Sequence, residues 1–95
     1  MDRLLVRLDA HKADLPARYQ IVVEGVAYRA DAAFVGPMTE GYDPECTIHI
    51  THEAVEALLQ RPGLLTLLRL VGEKQVKAEP PELAVTLGQK LARWV

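Results

Sequence analysis

Leu64-Leu65-Thr66-Leu67-Leu68-Arg69-Leu70-Val71 puts six large aliphatic side chains into eight residues. Pro62-Gly63 precedes it and Gly72 follows it, so a breaker and a stop frame a helix. An ordinary surface helix offers the core one apolar stripe and leaves the rest polar. This one is apolar on nearly every side, so it has to bury more than one face. The rest of the chain, a second protein or an apolar ligand could cover the surplus.

Working upstream, Cys46, Ile48 and Ile50 alternate with Thr47, His49 and Thr51, the period of a strand with one apolar face. Thr51 is placed to cap a helix running to about Gln60, with Glu53 favoured in its first turn and Val55, Leu58 and Leu59 inward. Downstream, Glu73 to Ala78 reads as a strand with Val76 and Ala78 on its apolar side. Pro80-Pro81 then opens a last helix, where proline is tolerated in the first turn. Leu83, Leu87, Leu91 and Val95 form its stripe, and Ala84 and Gly88 beside them permit close packing.

The first half adds a helix and two strands. Residues 2–15 read as a helix, capped by Asp2, with Leu4, Leu5, Leu8 and Leu15 at helical spacing and Pro16 ending it. Tyr19 to Val23 is rich in strand formers, Glu24-Gly25 makes a tight turn, and Val26 to Val35 returns. In that return Val26, Tyr28, Ala30, Ala32 and Phe34 share a face. Gly36 to Pro44 is a loop by composition. The element order is αβββααβα. It predicts an α+β fold with a four- or five-stranded, mainly antiparallel sheet covered by helices on one face. Three successive strands suggest a meander, and the fourth is expected to join by a crossover.

Composition narrows the function. The 95 residues make one domain, 1–95, and 49% are hydrophobic. Eleven basic and thirteen acidic residues are interspersed, for a net charge of −2, which argues against a nucleic-acid partner or a polybasic membrane patch. Cys46 is the single cysteine, so no intrachain disulfide forms and a reducing, cytoplasmic setting fits. The amphipathic start lacks the apolar run of a signal peptide. No apolar stretch reaches the ~18 residues of an integral membrane span.

No catalytic or metal constellation stands out. His49 and His52 are three apart, but one falls on a strand and the other just past a helix cap, and no third ligand completes a zinc set. Cys46 alternates inward with Ile48 and lacks a base on its own face. The glycines fit neither phosphate-loop pattern. Met38, beside Pro37, reads as a plug over the sheet edge or a gate, and Trp94 as packing or a contact patch.

From Val22 to Trp94 the chain resembles the sterol carrier protein 2 (SCP-2) family of lipid-transfer domains. The likeness rests on three stretches. Cys46 to Thr51, followed by Glu53, Ala57, Leu58 and Leu59, resembles the family's third strand running into its pocket helix. Val71 to Ala78 resembles the glycine-led strand after the second pocket helix, and Leu83 to Leu91 the C-terminal helix. The motifs are patterns of apolar spacing, not a catalytic signature. Glu79-Pro80-Pro81 stands where the family strand usually ends in a glycine and a small polar residue. The chain is also shorter than typical members, and the shortened N-terminus would open the cavity or remove part of the lid. The family also includes a bacterial accessory domain that presents quinone precursors to enzymes.

The resemblance implies an apolar tunnel between sheet and helices, and a non-enzymatic carrier of a lipid, fatty acyl or isoprenoid/quinone molecule. Leu58, Leu59, Leu64, Leu65, Leu67 and Leu68 would line it from the helices, and Tyr28 and Phe34 from the sheet, with the Tyr28 hydroxyl free to meet a headgroup. No cofactor or metal is expected. In the alternative, the same Leu surface pairs with a second copy or an enzyme partner.

Overall fold

A computed structural model describes residues 2–94, apart from the side chain of Asp2. The Asp2 cap and the place of Val95 in the last stripe therefore lie outside the described residues. Helix α1 (Asp2–Ala10) is followed by a 3₁₀ turn, Lys12–Asp14. The helix expected over 2–15 is thus broken near His11, and Leu15 leaves it in an extended conformation, as Pro16 requires. Strands β1 (Tyr19–Val23) and β2 (Val26–Ala30) form a hairpin. Its turn residues Glu24 and Gly25 have φ of 47° and 90°, the left-handed pair that matches strand twist.

The strand expected to continue through Val35 stops at Asp31. The Asp31 carboxylate accepts hydrogen bonds from the backbone N–H groups of Ala33 and Phe34, at 2.7 and 2.9 Å. An aspartate bonding to its own following backbone makes a turn. The chain then reverses into the short β3 (Val35–Pro37), antiparallel to β2. Beyond a loop come β4 (Cys46–Ile50), α2 (His52–Gln60), α3 (Leu64–Gly72), β5 (Val76–Glu79) and α4 (Pro81–Arg93). Thr51 caps α2, its hydroxyl accepting from the Ala54 N–H at 3.1 Å.

The five strands lie in the order β3-β2-β1-β4-β5. The sheet is mixed: β4 pairs with β1 in parallel, and the other three pairings are antiparallel. The meander expected of Tyr19–Val23, its return strand and Cys46–Ile50 is therefore not formed: the crossover falls at β4, and β5 joins β4 as an antiparallel neighbour instead. The loop before β4 crosses the end of the sheet and is pinned to the start of β1. Glu45 and Cys46 donate to the Arg18 carbonyl, and the Tyr42 hydroxyl donates to the Tyr19 carbonyl at 3.0 Å.

All helices cover one face. Ile21, Val23, Ile48, Ile50 and Val76 point into that layer and are buried under Leu8, Leu58, Leu70 and Leu87. Tyr19 is fully buried there, and its hydroxyl donates to the Leu83 carbonyl at 2.7 Å, tying the central strand to α4. The opposite face carries Gln20, Arg29, Thr47, His49, Lys77 and Glu79 and is largely solvated.

Candidate apolar ligand site

Two spaces open between the sheet and the helices. The first, about 40 Å³, lies in the core, where Ile21, Ile48 and Ile50 from the sheet meet Leu58, Leu67 and Leu87 from three helices. It has room for no more than a few water-sized spheres, and apolar cavities of this kind stay dry. The second is a groove of about 460 Å³ that opens between α3, β5 and α4. Leu67, Leu68 and Val71 form one wall and Pro81, Ala84 and Val85 the other. Its size falls in the range of small-molecule sites, which are concave and mostly apolar. Leu67, Val76 and Ala84 line both spaces.

Local sequence explains why the groove exists. Gly63 has φ 145°, a backbone that other residues rarely adopt, and it lets α3 restart directly after Pro62. Helix α3 sinks only Leu67 and Leu70 fully into the core. The adjacent arc stays in water: Leu65 is 84% exposed, Leu68 52% and Val71 47%. On α4, Ala84 carries too little side chain to fill the gap. A methyl built on Gly88 would come within 3.0 Å of a Leu67 methyl, so the glycine is the seat on which Leu67 rests.

The residues expected to line a tunnel divide. Leu58 lines the core cavity, Leu68 the groove, and Leu67 both. Leu59 is buried but faces neither space, Leu64 is half-buried away from both, and Leu65 points into water. Tyr28 packs against the core at the far end of the sheet, three strand spacings or roughly 14 Å from β5. Phe34, expected on the helix-facing side, lies in the Asp31 turn instead. Its ring rests on the outer face, over Gly36 and 5.1 Å from the Arg29 guanidinium. Val76, Ala84 and Gly88 also belong to the lining. Ala84 and Gly88 were visible as small residues beside an apolar stripe, and Val76 as the apolar side of its strand.

Polar chemistry is sparse around both spaces, with Lys74 and Lys77 the charged residues along the groove. Cys46 is buried, and burial pushes its thiol up to about 11, so it is neutral at physiological pH and a poor nucleophile. His49 is exposed on the outer face, and the His52 backbone N–H donates to Glu24 at 2.9 Å. Among the described residues no three His, Cys, Asp or Glu side chains gather to hold a metal ion. No described helix is long and apolar enough to cross a membrane.

No family model matches the chain. No curated protein matches it either. Solved structures do. Sterol carrier protein 2 like 2 from Aedes aegypti superposes with a TM-score of 0.71 at 14% identity, over 92% of this chain and 88% of its own. The sterol carrier protein domain 2 of Helicoverpa armigera gives 0.68 at 17% identity, over 96% and 86%. UbiJ-SCP2, a ubiquinone synthesis protein, gives 0.56 at 15% identity, over 97% and 82%. At this level of identity the shared property is the backbone arrangement. The chain has the fold of the sterol carrier protein 2 domains, a mixed five-stranded sheet with its helices on one face.

Proposed function

We propose that this protein is a non-enzymatic carrier of an apolar, chain-bearing molecule of the lipid, fatty acyl or isoprenoid type. The observation that carries the reading is the open groove of about 460 Å³ between α3, β5 and α4, lined mainly by aliphatic side chains, with Lys74 and Lys77 beside them, and abutting the core. A small domain that leaves Leu68 and Val71 half in water beside such a groove gains by covering them. Each buried methylene is worth about 0.8 kcal/mol, so a dozen contribute roughly 10 kcal/mol gross. Association and ordering offset much of that, and what remains supports binding without a single polar contact. The sterol carrier and ubiquinone synthesis proteins that share the fold are consistent with such cargo.

Extraction of the purified protein into organic solvent, followed by mass spectrometry, tests the reading. A co-purifying lipid or quinone, and saturable binding of a fluorescent fatty acid by the delipidated protein, are expected. If nothing co-purifies and no fatty acid binds, the carrier reading is wrong. Dimerisation abolished by Leu68→Glu would then assign the exposed α3 arc to a protein interface instead.

A further inference from the structure

The groove and the core cavity share a wall. Three residues stand between them: Leu67, Val76 and Ala84. Ala84 ends at its β-carbon, and Val76 is fixed on β5, where it pairs with Ile50. Leu67 is the longest of the three. It is held by Gly88, where an added methyl would come within 3.0 Å of the leucine. Beyond it lies a space of only about 40 Å³, wholly apolar in its lining and too small for a ring system. Of the three residues in the shared wall Leu67 carries the longest side chain, and the space behind it could receive only the narrow tip of a chain.

Resting on the carrier reading, we infer that Leu67 is the specificity-determining residue of the groove. It is a stop that sets the longest straight hydrocarbon chain the protein accommodates. The chain enters tip first from the α3–α4 side, runs over β5 and ends against Leu67. The Gly88 seat keeps the stop in place.

The test is a calorimetric series of straight-chain fatty acids, octanoate to stearate, on delipidated protein below their micelle concentrations. While added methylenes are buried, each tightens binding about fourfold. In the wild type this gain is expected to cease at a defined length. In Leu67→Ala the break moves to longer chains by at least two carbons, and in the milder Leu67→Val by less. Leu67→Val also keeps the test open should the alanine variant fail to fold. An unbroken gain in the wild type, or the same break in all three proteins, overturns the stop and leaves the carrier reading standing. Failure of every chain to bind every protein removes the carrier reading, and the stop with it.

Discussion

Asp31 holds three donors at once. Its carboxylate accepts from Ala33 and Phe34 backbone N–H groups and from the Arg29 guanidinium at 2.7 Å, with its side chain 8% exposed. Arg29 in turn donates to the Thr39 hydroxyl and lies 4.4 Å above the Tyr42 ring, so one turn anchors the loop that follows β3. Burial pushes the Asp31 pKa up, but the Arg29 and backbone hydrogen bonds outweigh it and hold the carboxyl below its ordinary value. Its stabilisation is therefore complete above about pH 4, the unfolded-chain value, and fades as pH falls through the lowered folded value. Asp31→Ala leaves those donors without a partner and is expected to cost about 2–3 kcal/mol at neutral pH. Denaturant titrations at neutral and acid pH check it, since the difference from wild type has to shrink on acidification. The same turn sets Phe34 on the outer face, against the alternation of the chain before it. Alternation of apolar residues runs unbroken through Asp31. The only sign of the turn was an aspartate able to bond its own backbone.

Helix α3 is legible as a helix because Pro62-Gly63 and Gly72 frame it. Its orientation is not: Thr66 and Arg69 mark one polar edge, but six aliphatic residues fill the remaining arc and do not single out which of them is buried. The structure resolves the choice by sinking Leu67 and Leu70 and leaving Leu65 in water. Two substitutions on this one helix should therefore behave very differently. Leu70→Ala is expected to cost about 2–5 kcal/mol, as buried leucine truncations do. Leu65→Glu should stay within about 0.5 kcal/mol of wild type. Chemical denaturation of both variants measures the contrast, and equal losses would mean that α3 is rotated from the position described. The candidate lining was legible to the same extent. Leu58, Leu67 and Leu68 were nameable as apolar helix positions, but which of their neighbours faced the groove depended on a rotation the sequence does not encode.

At the scale of the molecule, the order of elements and the SCP-2-like fold were readable from turn chemistry and apolar spacing. The parallel pairing of β1 with β4 was not. It depends on a loop that passes two strands before joining the sheet, held by Arg18, Tyr42 and Glu45, and no local pattern announces such a crossing. That pairing places Cys46 on the second-innermost strand beneath α4, with its thiol donating to the Pro80 carbonyl at 3.5 Å. A reagent can reach the thiol only when the sheet or α4 opens, so labelling should be slow and should follow global stability. Thiol labelling with increasing denaturant measures this. Rapid modification of the native protein would show that β4 is locally open.

The two outermost strands have a further consequence. Strand β3 is three residues long and ends in Pro37, and β5 is four residues long and is followed directly by Pro80. Short borders closed by proline offer few free backbone groups to a neighbouring chain. Copies of this protein are thereby discouraged from adding strand to strand into fibres. The exposed aliphatic residues Leu65, Leu68 and Val71 lie away from those borders, on the helical side of the sheet.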